Sequence, residues 1–483
     1  MSLELLPNEL LYKIFSFLND YRIILGFYGL NSRLDSIINT YPFTLFKINK
    51  SSANKEVTYQ STKLFTICQH NIRSLELTIN KELDQQTSVE NIEQQLTTVT
   101  FPYSLFNQDI LDIFSKLNYA TKLEIELQGY YGNTPEKKKQ IAQTVFSLPK
   151  VHTCCLTCHS YTECYRIDAD FCLIMSNIET LSIKLYSMAD LVQVINGLEK
   201  LKNLTVRLLD SGGKDEYEVI LNSVKLVYLK VEWMDSEFNL SLFSLVEKCT
   251  KLEHFSFEIE TLCECACLVD GDQWQSIISS LPELEELELD IQTRVEGSID
   301  SVHELVEPFK SENFEFRRRN WNIICDYHGP ATKSYTCVHL YTLPYPYWSF
   351  YTRLYGIHTT LDSSVSLSNI RRLHIHIDED DRPSQPTGNN RLFSDVDILY
   401  IDGIVQNTSC STIVADIEQL VTLSNVNRLY LDDYCYQLLD DILAVAPNIV
   451  HLDLADDLDE YLQILKGKQF QGVKKIKIDE DYD

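Results

Sequence analysis

Residues 178–206 read Ile178-Glu179-Thr180-Leu181-Ser182-Ile183, then Leu191-Val192-Gln193-Val194-Ile195-Asn196-Gly197-Leu198, then Leu201-Lys202-Asn203-Leu204-Thr205-Val206. The two outer pieces share the pattern apolar-x-x-apolar-x-apolar, and its last three positions alternate as a strand does. The middle piece spaces its apolar residues by three and four, the period of a helix with one buried stripe. Working outward, the same pattern recurs upstream at Ile72/Leu75/Leu77, Leu96/Val99/Phe101, Val151/Cys154/Leu156 and, less cleanly, Ala120/Leu123/Ile125. Downstream it returns at Leu226/Leu229/Val231, Leu252/Phe255/Phe257, Leu284/Leu287/Leu289, Ile370/Leu373/Ile375 and Val396/Leu399/Ile401. Val426/Leu429/Leu431, Ile449/Leu452/Leu454 and Val473/Ile476/Ile478 continue it to the C-terminus, and Tyr335/Val338/Leu340 is a weak copy. Most neighbouring copies start 23 to 32 residues apart, with helical spacing between them, as in Leu242-Phe243-x-Leu245-Val246 and Ile413-Val414-x-x-Ile417-x-x-Leu420.

A strand this short cannot stand alone, but parallel strands stacked about 4.8 Å apart bury one another, and about fifteen make an arc some 70 Å long. One strand and one helix every 25 or so residues resembles an irregular leucine-rich repeat. That resemblance implies an α/β solenoid, a horseshoe with parallel strands lining the inside and helices outside, over residues 50–483. Residues 293–369 fit poorly; two or three degenerate rungs are expected there, with Trp321-Asn322-Ile323-Ile324 as a further strand. The hydrophilic stretch near 378–391 reads as a rim loop. A stack of unrelated α/β units is the alternative.

Residues 1–49 follow a different rule. Pro7 suits a first helical position, Glu9 suits the positive end of the helix dipole, and Leu10, Ile14 and Leu18 recur every four residues beside Leu11 and Phe15. A second apolar stretch runs from Ile23 to Leu30 and a third includes Leu34, Ile37 and Ile38. Three short amphipathic helices in about 45 residues cannot build a self-sufficient core. Leu6-Pro7-x-Glu9-Leu10, Ile14-Phe15, Leu18, Leu25 to Leu30 and Leu30-Asn31-Ser32-Arg33-Leu34 resemble an F-box, a small all-α module. The resemblance implies docking on a Skp-type adaptor, and through it on a cullin scaffold, by Leu6, Pro7, Leu10, Ile14, Phe15, Leu18, Leu25, Leu30 and Leu34.

Composition narrows the rest. The chain has 483 residues, is 44% hydrophobic and carries a net charge of −28. A surface this acidic repels phosphate backbones, so nucleic acid is not an expected partner, while a partner with a basic patch is. No apolar run approaches the roughly 20 residues of a membrane span, and the N-terminus opens directly into an amphipathic helix, so neither membrane insertion nor secretion is expected. Cytoplasm, nucleus or both are the expected locations. The 14 cysteines are scattered, which reads as free thiols in a reducing compartment. Cys263-x-Cys265-x-Cys267 near His254, and Cys154-Cys155-x-x-Cys158-His159 with Cys164, lack the paired spacing of structural zinc sites, so no metal or cofactor is expected. No phosphate-cradling glycine loop, nucleophile elbow or His-Glu-x-x-His occurs, and the chain is read as non-catalytic.

Strand positions between the apolar ones face outward. Glu258, Glu288, Asp290, His374, His376, Tyr400, Asp402, Tyr430 and Asp432 are therefore candidate binding residues. Acid dominates this map, so the face is expected to receive positive charge, with Tyr400 and Tyr430 as rigid contact area; solvated strand residues on an acidic protein explain it equally. The aromatic run Tyr341-x-Leu343-Pro344-Tyr345-Pro346-Tyr347-Trp348-x-Phe350-Tyr351 holds two prolines that bar a regular helix, and folding back over the core is favoured over exposure. These readings converge on a substrate-receptor subunit of a Skp–cullin–F-box ubiquitin ligase, with a protein substrate on the inner face. The alternative is a non-ligase leucine-rich-repeat scaffold whose N-terminal helices only cap the solenoid.

Overall fold

Each apolar-x-apolar triplet from Leu75 to Val231 forms a strand, because alternation lets one face of a pleated chain be wholly apolar. We describe the chain from a computed structural model. It covers residues 6–15, 27, 30–40, 46–49, 74–78, 98–104, 121–127, 135–158, 164–167, 176–209, 219–221, 224–310, 319, 321–329, 335–360, 365–378, 391–405, 409–455, 473 and 475–479. The architecture is mixed α/β and rich in parallel strands. It divides into two compact units, residues 1–256 with 280–284, and residues 257–279 with 285–483.

The first unit opens with helices α1 (Asn8–Phe15) and α2 (Ser32–Thr40). Leu11, Phe15, Leu34, Ile37 and Ile38 are buried, and the Phe15 and Phe27 rings lie 5.1 Å apart. Asn31 caps α2 by accepting the Leu34 N–H at 2.9 Å. Arg33 ties the two helices together, donating to the Leu6 carbonyl at 2.5 Å and to Asn8 Oδ1 at 2.8 Å.

Eight strands follow: β1 (Phe46–Asn49), β2 (Ser74–Thr78), β3 (Thr98–Ser104), β4 (Lys122–Leu127), β5 (Thr153–Cys158), β6 (Thr180–Leu185), β7 (Asn203–Leu208) and β8 (Tyr228–Trp233). They lie side by side in chain order, each parallel to the next. The register lines up the repeat: Leu75, Val99, Leu123, Cys154, Leu181, Leu204 and Leu229 form one continuous row. From Leu123 to Leu229 every member of that row is at most 1% exposed. Each buried leucine contributes about 1.5–3 kcal/mol by leaving water, and burial pushes the Cys154 thiol up, keeping it a neutral packing group.

Helices α3 (Pro135–Phe146), α4 (Met188–Gly197) and α5 (Ser241–Glu247) fall between these strands. Helix α4 shows how a helix start is locked to the segment before it. Ser187 and Asp190 form a reciprocal capping box, and the second oxygen of Asp190 accepts the Ile167 N–H at 2.6 Å. A backbone rule also repeats at successive strand starts from β5 onward: one carbonyl accepts two successive N–H groups from the following segment. His152 O takes Glu179 and Thr180, Glu179 O takes Lys202 and Asn203, and Lys202 O takes Val227 and Tyr228.

In the second unit come β9 (His254–Cys263, which crosses the division), α6 (Gly271–Ser279), β10 (Glu286–Glu296), α7 (Ile299–Val306), β11 (Asn322–His328) and β12 (Tyr335–Leu343). Here the expectation of further parallel rungs fails: β12 pairs antiparallel with both β10 and β11. For β11 and β12 the cause is length, since only residues 329–334 join them, and a parallel crossover needs a dozen or more. Parallel order resumes with β13 (Ser349–Arg353), while the short β14 (His358–Thr359) pairs with β11. Outside the main sheets, β15 (Val365–Ser366) pairs with a later short strand. Next come β16 (Arg372–Asp378), then β17 (Arg391–Leu392), the partner of β15. Strand β18 (Ile398–Ile404), helix α8 (Cys410–Leu420), β19 (Arg428–Leu431), α9 (Leu439–Val445), β20 (His451–Ala455) and β21 (Lys475–Asp479) complete the unit. Strands β13, β16, β18, β19, β20 and β21 form one all-parallel sheet in that order.

The two-amide carbonyl rule returns in this sheet, at Trp348, Arg371, Asp397 and Asn427. Its core is Phe350, Leu373, Ile375, Leu399, Ile401, Leu429, Leu431, Leu452 and Leu454, packed with Ile413, Ile417, Leu439 and Ile442 from the helices. The aromatic run splits in two. Tyr341, Tyr345 and Phe350 fold back and are buried, while Trp348 and Tyr351 stay 53% and 39% exposed. Free thiols are not universal either: Cys265 and Cys267 form a disulfide. The rim-loop expectation falls almost wholly on residues 379–390, outside the described residues.

Candidate functional site

In the second unit's parallel sheet, leucine and isoleucine take the buried positions, so the intervening side chains stand together on the other face. Register places Tyr351, His374, Tyr400, Tyr430 and Asp453 opposite one another on β13, β16, β18, β19 and β20. The rings stack: His374 and Tyr400 have centroids 4.1 Å apart and planes within 4°, Tyr400 and Tyr430 are 3.9 Å apart and within 7°. Tyr351 extends the row at 6.4 Å from His374. Parallel strands about 4.8 Å apart bring like side chains close to aromatic stacking distance, so the ladder is a direct consequence of in-register pairing.

Two arginines flank the ladder. Arg372 lies over the Trp348 ring at 4.5 Å and the Tyr400 ring at 5.4 Å. Arg428 lies over Tyr430 at 4.6 Å and donates from Nε to Asp453 Oδ2 at 2.7 Å. That hydrogen bond raises the Arg428 pKa further, and Asp453 is covered to 6% side-chain exposure. Burial lowers the His374 pKa, with the Arg372 charge adding to it and Asp402 opposing, so this imidazole is neutral at pH 7. Burial pushes the Tyr351 hydroxyl up to about 12; Tyr430 is raised too, by burial and by its hydrogen bond to Tyr400. The platform is therefore a stack of neutral rings between permanent cations.

Of the binding residues expected from sequence, His374, His376, Tyr400, Asp402, Tyr430 and Asp432 belong to this region of the second unit. His376 Nδ1 and Asp402 Oδ1 are 3.1 Å apart, and Asp432 donates its N–H to the Ile401 carbonyl at 3.0 Å. Glu258 and Glu288 are half-buried on β9 and β10. Asp290 is taken up internally: His339 Nε2 is 2.6 Å from Oδ1, and the Tyr345 hydroxyl donates to Oδ2 at 2.7 Å. Burial and the Asp290 charge raise the Tyr345 pKa, so Tyr345 remains a donor.

Arg372 and Arg428 were not anticipated, and Trp348 and Tyr351 were named only within an aromatic run expected to fold back. The signal for the arginines was present: each stands just before the middle apolar residue of its triplet, one outward position earlier than the pair we mapped. Including that position changes the electrostatics. Across β13, β16, β18 and β19 the described outward charges are mixed, Arg353, Arg372 and Arg428 beside Asp402 and Asp432, with Asp453 next to Arg428 on β20. The face here is of mixed charge, with Arg372 and Arg428 in one row beside the rings. In the first unit the acids are offset locally, Glu124 by Lys122 at 2.5 Å and Glu232 by Arg207 and by Lys230 at 3.0 Å.

At the N-terminal helices, Pro7 is exposed, Leu10 and Leu30 are 47% and 61% exposed, and Leu6 and Ile14 are half-buried. Phe15 and Leu34, expected on the docking surface, are instead buried. Leu18 and Leu25 lie outside the described residues. Among the described residues no group of three or more His, Cys, Asp and Glu is placed to hold a metal ion, and no helix is long and apolar enough to cross a membrane. No protein-family model matches the chain, and no curated protein matches it significantly.

Proposed function

We propose that the chain is a substrate-receptor subunit of a Skp–cullin–F-box ubiquitin ligase working in the cytoplasm or nucleus. In this reading α1 and α2 are the core of an F-box that seats on the adaptor, and the strand–helix units form a leucine-rich-repeat solenoid that holds a protein substrate. The observation that carries it is the apolar surface left by a module with little core of its own: Pro7, Leu10 and Leu30 face solvent beside half-buried Ile14. The recurring two-amide carbonyl at rung starts in both units supports the solenoid. The receptor's contribution to catalysis is proximity, holding a substrate lysine near the charged ubiquitin carrier while other subunits perform the transfer.

Burial of Phe15 and Leu34 favours a second reading, in which the helices only cap the repeat array of a non-ligase scaffold. Leu10→Asp with Ile14→Asp separates the two, because it alters the open side and spares Phe15. Under the ligase reading the wild-type chain co-purifies with a Skp-type adaptor and the double variant does not, at unchanged circular dichroism. A wild-type chain that recovers no adaptor, or a double variant that recovers as much as wild type, refutes adaptor docking through this face.

A further inference from the structure

The Arg372 guanidinium lies over both the Trp348 and Tyr400 rings. Its Nε is buried without a hydrogen-bond partner, and among the described residues its side chain makes no hydrogen bond or ion pair. Aromatic faces satisfy the flat surfaces of a guanidinium but not its N–H edge, which is built for a two-oxygen anion. Arg428 shares the same outward row: Arg372 pairs with Ile398, and Ile398 pairs with Arg428. Nε of Arg428 is spent on Asp453, and its side chain remains 38% exposed.

We propose that this face, across β13, β16, β18 and β19, seats an extended anionic peptide whose carboxylates or phosphates pair with Arg372 and Arg428. The segment's apolar groups lie along the edges of the Tyr351–His374–Tyr400–Tyr430 stack. This deepens the receptor reading by giving the substrate a chemistry, and it does not depend on adaptor docking. Charge complementarity carries the choice of occupant: Arg372 meets no carboxylate among the described residues, and Arg428 engages Asp453 through Nε. Screening over about 8 Å lets a short ligand feel these two arginines more than distant acids, whereas a long polyanion would meet the acidic surface of a chain of net charge −28.

Spacing refines the ligand. The two arginines sit two strands apart in one register row, about 10 Å at ~4.8 Å per strand. A polyproline-II segment repeats its face every third residue at about 3.1 Å each, putting positions i and i+3 about 9 Å apart on one side. A regular β-strand would turn residue i+3 to the opposite face. The expected motif is therefore acidic at i and i+3 in a proline-containing stretch.

Fluorescence anisotropy on the full chain tests this with labelled synthetic peptides of one Ala/Pro background. They carry Glu, phosphoserine, Gln or Lys at both i and i+3, and unlabelled single-stranded oligouridylate serves as a competitor. Two charge-assisted contacts predict that the Glu or the phosphoserine peptide binds at least roughly tenfold more tightly than the Gln peptide. The tighter of the two identifies the anion as carboxylate or phosphate. Arg372→Gln, and Arg428→Gln combined with Asp453→Asn so that no buried acid is stranded, should each weaken the preferred anionic peptide without altering Gln-peptide binding. Neither anionic peptide binding more tightly than the Gln peptide, tighter binding of the Lys peptide, or displacement by the oligonucleotide at lower concentration than by unlabelled anionic peptide overturns the proposal. So does an unchanged affinity in folded Arg372→Gln. The peptide series uses wild-type protein, so it decides the matter even if a variant misfolds, and adaptor co-purification reads the ligase proposal independently.

Discussion

Tyr400 is stacked on both faces, against His374 at 4.1 Å and Tyr430 at 3.9 Å. Each such pair is worth about 0.5–1.5 kcal/mol beyond the area it buries. Tyr400→Ala forfeits both contacts, about 1–3 kcal/mol, and the area lost from a half-buried ring adds on the order of 1 kcal/mol. A double-mutant cycle isolates the stacking component. Tyr400→Ala with Tyr430→Ala should show a coupling of about 0.5–1.5 kcal/mol. Tyr351→Ala with Tyr430→Ala should show none beyond about 0.3–0.5 kcal/mol, because two rungs intervene. Native-state hydrogen exchange of the β16, β18 and β19 amides is the appropriate assay, since it reports this sheet separately in a chain of two units. Equal couplings for the two cycles would show that the rings are neighbours without being partners, and the argument from register to platform would fail.

Two further perturbations probe the frame beneath that platform. Gly403 sits in β18 at φ +110°, opposite Ile377, and a Cβ there would run into the Ile377 carbonyl oxygen and lie 2.7 Å from its nitrogen. Gly403→Ala should therefore cost at least about 1–3 kcal/mol and loosen the β16–β18 amides in hydrogen exchange; a loss under ~0.5 kcal/mol contradicts it. Burial, with Arg353 and His376 adding, lowers the His328 pKa to about 3. The unfolded chain takes that proton near pH 6.5, so the contribution of neutral His328 is complete above about 6.5 and drains away as pH falls toward about 3. His328→Asn should flatten this limb of a plot of urea midpoint against pH, and an unchanged slope between pH 6 and about 4 would be inconsistent with a half-buried neutral imidazole.

Periodicity alone reached the strands, because a residue's side of a strand depends only on its neighbours two positions away. That is why Leu123, Leu181, Leu204, Leu229, Leu399, Leu429 and Leu452 were legible as core. The helical spacing at 191–198 and 413–420 was legible for the same reason. Direction was not: β11 and β12 read as rungs, yet the short connection between them forces an antiparallel pair, and connection length matters only once both strand ends are known. The burial of Phe15 and Leu34 likewise depended on how α1 meets α2, which a single stripe of apolar residues does not specify.

For the site, the sequence by itself determined which side chains leave the core, so His374, Tyr400 and Tyr430 were identified together as outward residues of successive strands. Only tertiary structure decided that they stack, because register between strands is a long-range choice made by the packed core beneath. It also decided where the charges of that face stand. Charge summed along the chain is acidic, but the potential a ligand meets depends on which residues share a row, and here Arg372 and Arg428 stand beside the rings while Asp453 is consumed by Arg428.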